Sequence, residues 1–201
     1  MTQRPHPHLR VIKLGGSLLD VPDLAPTLRR WLARQPAMAS VMIVGGGPLA
    51  DVIREAFGRH GLSQEAAHWL CVRVLGVTAE LVARLLPEAR FVRRLDDLLV
   101  ASTLTILDPE SFLRDEPRLV PSPLPHSWDV TSDSIAARLA AILHADELVL
   151  LKSDLPPTGS TLCDAATASY VDPYFPFASA ELPAIRCVNL RAGGFPAATL
   201  S

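Results

Sequence analysis

An α/β fold built on a mostly parallel sheet is what this sequence predicts, and three observations predict it. Short apolar runs rich in β-branched residues alternate with helical patterns along the chain. Two of those runs, Leu9–Leu14 and residues 40–44, empty directly into glycine turns. Helical spacing then resumes beyond each turn. Strands alternating with helices give parallel strands joined by crossovers. Parallel strands would open both glycine turns on the same sheet edge, where open α/β sheets bind ligands.

The first run, Leu-Arg-Val-Ile-Lys-Leu, reads as a buried strand and leads into Lys13-Leu14-Gly15-Gly16-Ser17. Residues 24–34 carry a helical stripe of Leu24, Leu28, Trp31 and Leu32, stopped by Pro36. The second strand, residues 40–44, is followed by Gly45-Gly46-Gly47-Pro48, with Pro48 suited to a first helical position. Leu49, Val52, Ile53, Ala56 and Phe57 then mark one helix face. After a break at Gly61-Leu62, with Ser63 as N-cap, residues 64–86 predict one long helix closed by Pro87. At ~1.5 Å per residue it would be ~35 Å long. Its near-heptad seam (Ala67, Leu70, Val74, Val77, Leu81) would serve either a dimer or packing across the sheet.

Residues 90–93, 98–100 and 104–107 are short strand candidates, and a brief helix is expected over 108–113. Pro117, Pro121, Pro123 and Pro125 then hold an extended connection. It runs through His126-Ser127-Trp128-Asp129 into Val130-Thr131-Ser132-Asp133-Ser134, where a helix bearing Ile135, Leu139, Ile142 and Leu143 begins. Residues 147–151 form the clearest parallel-type strand, ending at Lys152-Ser153-Asp154. Residues 156–169 read as loop, 170–177 as an aromatic, proline-broken stretch, and 185–190 as a final strand before Gly193-Gly194. No internal repeat is present.

With 201 residues, 49% of them apolar and 20% charged, the chain can bury the core of a single domain spanning 1–201, with residues 1–8 as a frayed, proline-containing tail. A net charge of −2 without a basic run argues against a nucleic-acid surface. The opening residues do not read as a signal peptide, and no apolar stretch is expected to reach the ~20 residues that span a bilayer. Cys71, Cys163 and Cys187 are odd in number and form no C-x-x-C pair, as expected of reduced thiols in a cytoplasmic protein.

Two glycine turns at strand ends point to anion chemistry, because bare backbone N–H groups and helix N-termini both favour phosphate oxygens. Lys13 stands where its ammonium can reach the same anion. A Walker A loop is absent. Gly45-Gly46-Gly47-Pro48-Leu49-Ala50 matches the dinucleotide pattern G-x-G-x-x-A, but the acidic residue required about twenty positions on would be Glu65, which starts a helix instead of ending a strand.

Lys13-Leu14-Gly15-Gly16-Ser17, then Val44-Gly45-Gly46-Gly47, then Thr131-Ser132-Asp133-Ser134-Ile135-Ala136-Ala137 resembles the amino acid kinase superfamily over nearly the whole chain. Within it, Gly45 to Asp51, Ala67-His68-Trp69, Leu124 to Asp133 and Val171-Asp172 look like the branch holding the methanofuran-pathway aminomethylfuranylmethyl phosphate kinase and its bacterial one-carbon-metabolism relatives. The resemblance implies a three-layer sandwich with a mostly parallel central sheet. It implies transfer of the ATP γ-phosphoryl group to a small-molecule acceptor, with Mg²⁺ on the ATP phosphates. The seam of the long helix adds the expectation of a homo-oligomer, and the charge balance and short apolar runs that of neither nucleic acid nor membrane as partner. Carried over, Lys13 neutralises the phosphoryl oxygens and Asp133 orients it. Gly15, Gly16 and Ser17 bind phosphate on the ATP side, and Gly45, Gly46 and Gly47 on the acceptor side.

Asp51, Trp128, Asp129 and Thr131 are the acceptor-binding candidates, and Lys152, Ser153 and Asp154 the nucleotide-binding ones. Each has a plainer reading. Asp133 would stabilise a helix dipole with or without a ligand, and Asp51 would be an exposed helical acid. His68, Trp69 and Trp128 could line an acceptor pocket, although a tryptophan is more often a core anchor. Lys152 is either a second phosphate cation or a solvated strand-end lysine. One departure stands out. Where the family has Thr/Ser-Asp-x-x-Gly, which helps build the adenine site, this chain reads Lys152-Ser153-Asp154-Leu155-Pro156-Pro157. A degenerate member that binds an anion or nucleotide without transfer is therefore the competing expectation.

Overall fold

The computed structural model describes residues 8–98 and 103–201. Among these residues seven strands form one sheet: β1 (Leu9–Leu14), β2 (Ala39–Val44), β3 (Arg90–Val92), β4 (Leu104–Leu107), β5 (Glu147–Lys152), β6 (Ile185–Asn189) and β7 (Ala197–Leu200). Their spatial order is β3-β4-β2-β1-β5-β6-β7. Every neighbouring pair is parallel except β6 and β7. The central strands are buried along nearly their whole length, as parallel strands covered on both faces must be.

Among the described residues seven α-helices cover the sheet: α1 (Leu24–Leu32), α2 (Pro48–His60), α3 (Gln64–Leu85), α4 (Pro109–Leu119), α5 (Ser132–Ile142), α6 (Leu162–Thr167) and α7 (Phe175–Ala178). Alternation along β1 divides the core in two. Val11 joins a cluster with Ile135 and Leu139 of α5 and Phe175 of α7. Ile12 and Leu14 join another with Leu24, Leu28 and Trp31 of α1. Helices, sheet and helices make three layers, as the resemblance implied. Lys13 lies between Ile12 and Leu14 in the strand, so it projects to the α5 side of the sheet.

Register places the site. Leu14 pairs with Val44 on one side and Leu151 on the other, so β1, β2 and β5 end together. The residues that follow them meet at one edge.

Several elements depart from expectation. The brief helix expected over 108–113 continues to Leu119, through Pro117, because Phe112, Leu113 and Glu116 are buried and hold the last turn in place. The expected loop 156–169 contains α6, begun by a capping box of Thr161 and Asp164. A seventh strand, β7, returns antiparallel to β6. Of the strand candidate 98–100, Leu98 follows a 3₁₀ turn at Leu95–Asp97, and residues 99–100 lie outside the described ones. Contrary to expectation, among the described residues one helix is long and apolar enough for a bilayer by length and composition: α3, at 22 residues. Its Val72 and Leu75 pack into one core cluster and its Ala79 and Val82 into the other, and Val77, Leu81 and Leu85 remain exposed.

Candidate active site

The edge where β1, β2 and β5 end is built from backbone alone. Gly15 N–H donates to Leu151 O at 2.8 Å and Gly45 N–H donates to Leu14 O at 2.8 Å, extending the ladders by one residue before the strands part. The two glycine turns then touch: a Cβ on Gly45 would lie 2.7 Å from Gly16 N, and one on Gly47 would lie 2.6 Å from Gly16 O. Gly47 also has φ +55, which L side chains rarely adopt, and it turns the chain into α2. This corrects one expectation. The Gly15 and Gly45 N–H groups are consumed by the sheet and shape the turns, whereas those of Gly16, Gly46 and Gly47 have no partner among the described residues.

Beneath the turns lies an ion cluster. Lys13 Nζ is 2.8 Å from Asp133 Oδ1, and Lys152 Nζ is 2.9 Å from Asp133 Oδ2. Lys152 also donates to Tyr170 O at 2.5 Å. Lys152 is thus neither solvated nor idle: it is the second cation on the carboxylate. Lys13 and Asp133 are only 5% and 4% exposed, so each charge depends on its partner in place of water. Burial pushes the Asp133 carboxyl upward, but the two ammonium groups outweigh it and hold it at about 2. Burial, with the like charge of Lys152, draws the Lys13 ammonium below its usual value against the pull of Asp133. The two shifts report different things: that of Asp133 reflects the paired cations, and that of Lys13 reflects dehydration. The cluster carries one positive charge in excess of its shared carboxylate.

What fixes Asp133 is the start of α5. Thr131 caps the helix, its Oγ1 accepting from Asp133 N. Asp172 in turn accepts from Thr131 N at 2.9 Å, Thr131 Oγ1 at 2.8 Å, Ser134 N at 3.0 Å and Ser134 Oγ. Burial and the nearby Asp133 charge raise the Asp172 carboxyl above its usual value, and these donors oppose the rise. Asp172 was visible in the sequence only as part of a motif; its role at the start of α5 depends on a contact across 38 residues.

Above the cluster opens a cavity of about 450 Å³, a volume that suits a small ligand. Lys13, Gly16, Ser17 and Gly45 to Gly47 line it, together with Asp51, Thr131 and Trp128 of the acceptor candidates. Asp129 does not line it; its backbone O accepts from Tyr174 N and its side chain is exposed. Thr131 reaches the cavity with its hydroxyl already bonded to Asp172. Arg54, absent from the sequence-based candidates, is a wall residue: it pairs with Asp51 at 2.5 Å and lies 5.7 Å over the Trp128 ring. The spacing of three residues on one helix was the available signal.

Trp128 also meets Phe57 edge-on at 5.3 Å. His68 lines the cavity as well, stacked on His126 at 5.1 Å, and burial drives its pKa down to about 4, so it is neutral at neutral pH. The segment bearing Trp128 is anchored from below: buried Glu116 accepts from Leu124 N at 3.1 Å and meets Arg138 Nε at 3.1 Å.

On the other side, Ser17 and Ser153 share a hydroxyl hydrogen bond of 2.8 Å. Asp154 is exposed; its Oδ1 accepts from Leu155 N, and its carbonyl accepts from the Tyr170 hydroxyl at 3.2 Å. Bare Gly16, Gly46 and Gly47 amides beside a net positive cluster fit nucleotide phosphates. Among the described residues no cluster of three His, Cys, Asp or Glu side chains forms a metal site. Mg²⁺ would then be held chiefly by the phosphates themselves.

No protein-family model matches the chain. It is 26% identical over 149 residues to [5-(aminomethyl)furan-3-yl]methyl phosphate kinase of Methanocaldococcus jannaschii, covering 71% of this chain and 64% of that protein. The chain thus spans under two thirds of that relative's length. In structure it is similar to uridylate kinase from Archaeoglobus fulgidus, with TM-score 0.62 and 16% identity, covering 96% of this chain and 90% of that one. It is also similar to aspartate kinase from Synechocystis, with TM-score 0.64 and 15% identity, covering 96% of this chain and 40% of that one. Fold and distant sequence likeness thus agree: the chain has the fold of the amino acid kinase superfamily and resembles it in sequence.

Proposed function

We propose that this chain is an ATP-dependent kinase that moves the γ-phosphoryl group onto a phosphate monoester, (5-(aminomethyl)furan-3-yl)methyl phosphate being the leading acceptor. The observation that carries the kinase reading is the buried Lys13–Asp133–Lys152 cluster under a glycine-lined cavity. Phosphoryl transfer asks a protein mainly for positioning and for compensation of spreading negative charge. Lys13 lines the cavity and supplies that charge, while Asp133 keeps its ammonium aimed there. Lys152 keeps Asp133 ionised. The Gly16, Gly46 and Gly47 N–H groups fix phosphate oxygens without side chains in the way.

A phosphate acceptor suits the remaining groups. Its second pKa is near 6, so its attacking oxygen needs no general base at neutral pH. The furan-phosphate assignment rests on the M. jannaschii relative. Trp128 offers a flat face to a ring. Asp51 can meet an ammonium by exchanging Arg54, an exposed pair whose opening costs little. ATP, with Mg²⁺, is the proposed donor, and the exposed Val77, Leu81 and Leu85 stripe of α3 is the surface proposed for self-association.

The test is phosphoryl transfer from ATP to a panel of the furan phosphate, UMP, isopentenyl phosphate, carbamate and acetylglutamate. The expected product is the furan diphosphate. Preference for UMP or a carboxylate would remove the acceptor assignment and keep the kinase. Absence of any transfer, with no ATP binding, would leave a small-anion binding protein.

A further inference from the structure

Arg191 lies beyond the residues assigned so far, at the end of β6. Asn189 Oδ1 accepts from Arg191 N at 2.9 Å and Ala192 N at 3.0 Å, which fixes the turn that carries it. Its guanidinium then crosses two strand ends. Nε donates to Ser153 Oγ at 3.1 Å, at the end of β5. Nη2 donates to Ser17 O at 2.7 Å, in the first glycine turn, and to Asp20 Oδ1 at 2.5 Å. Nη1 has no partner among the described residues.

From this geometry we infer that Arg191 is a substrate-contacting residue that binds the non-transferred β-phosphate of the nucleotide, exchanging Asp20 for it. The inference rests on the kinase reading and deepens it on the side where the 152–157 stretch departs from the family pattern. Ser17 and Ser153 already lie on that side, and Arg191 touches both. Its pair with Asp20 is open to water, with side-chain exposures of 42% and 62%, so an anionic nucleotide phosphate can displace the carboxylate at small cost. There is room for the ligand. A second cavity of about 490 Å³ has Arg191, Asp20 and Gly193-Gly194 in its wall, and Asp20 also borders the first cavity. Two further arginines border the second cavity but are engaged: Arg30 with Asp23 at 3.6 Å, and Arg34 over the Phe195 ring at 5.1 Å. A guanidinium with a free nitrogen beside a hydroxyl pair is the fork geometry that phosphate oxygens accept.

The experiment is calorimetric titration of ATP, ADP, AMP and adenosine, with Mg²⁺, into the whole chain and into Arg191→Ala, Arg191→Lys and Asp20→Asn. Arg191→Ala should weaken ATP and ADP at least about tenfold while changing AMP and adenosine less than about twofold, and leave the acceptor KM in place. Arg191→Lys should recover part of the loss. Asp20→Asn should tighten ADP, because the competing carboxylate is gone. A mere strap between loops gives a different pattern: Arg191→Ala and Asp20→Asn both lower the melting temperature and weaken all four ligands alike, which overturns the assignment. Parent protein that binds ADP as well as Arg191→Ala does also overturns it and leaves the kinase reading standing. Parent protein that binds no nucleotide removes both.

Discussion

Gly45 and Gly16 approach so closely that a Cβ on Gly45 would lie 2.7 Å from the Gly16 backbone nitrogen. The obstacle is backbone, which cannot swing aside as a side-chain tip would. Gly45→Ala should therefore push the two glycine turns apart, costing about 1–3 kcal/mol of stability and displacing the amides that face the cavity. Denaturant unfolding and turnover measured together check this, and an alanine variant with parental values for both would show that the turns are free to separate.

Lys13→Ala removes the cation that faces the cavity but leaves Asp133 paired with Lys152 at 2.9 Å. Turnover should fall at least ~100-fold while the fold survives. Steady-state kinetics with a circular-dichroism melt decides it; near-normal turnover in a folded variant takes Lys13 out of the mechanism.

Asp133→Asn keeps the shape and deletes the charge shared by the two lysines. The ammonium groups are left without their common counter-ion, so stability should drop by roughly 3–5 kcal/mol. Turnover should fall further than nucleotide affinity does, because the loss is of lysine placement. Equal affinity and equal rate in the variant would reduce Asp133 to a helix-start residue.

His68 makes the fold sensitive to acid. Its folded-state pKa of about 4 lies below the 6.5 of an open imidazole, so protonation favours the unfolded chain. The stability held by the neutral ring is complete above pH 6.5 and is lost as pH falls toward 4, by up to about 3 kcal/mol. Urea unfolding between pH 4 and 7 should show this slope in the parent and a flatter one in His68→Gln. Matching slopes in the two proteins would assign the acid sensitivity elsewhere.

Both glycine turns, Lys13, and Asp133 at the start of α5 were legible because each is a local pattern: a strand that ends in glycines, or a helix that starts on a capping residue. β7 was not, because Ala197-Ala198-Thr199-Leu200 is short and opens on two alanines, which favour strands little, and it owes its pairing to β6. Local pattern reached no further than the i,i+3 spacing of Arg54 from Asp51 and the motif that holds Asp172; the contacts that give Arg54, Asp172 and Arg191 their places are all made across elements. Arg54 gains its place by facing Trp128 from another element, Asp172 by reaching back to α5, and Arg191 by crossing to turns far earlier in the chain. Lys152 was ambiguous in sequence because a strand-end lysine ordinarily meets water; here α5 brings a buried carboxylate to it. The end of α4 was missed through Pro117, whose sequence signal says stop while burial of Glu116 and Leu113 says continue.

The Glu116 anchor under the proline-rich segment has a consequence for how tightly a ligand can be held. Pro117, Pro121, Pro123 and Pro125 restrict the backbone even in the unfolded chain, so fixing this stretch forfeits little conformational entropy. Glu116 then ties Leu124, just ahead of His126 and Trp128, to α4 and α5. The wall bearing Trp128 is consequently ordered when the protein folds, before any ligand arrives, and an acceptor meets it without having to immobilise a loop.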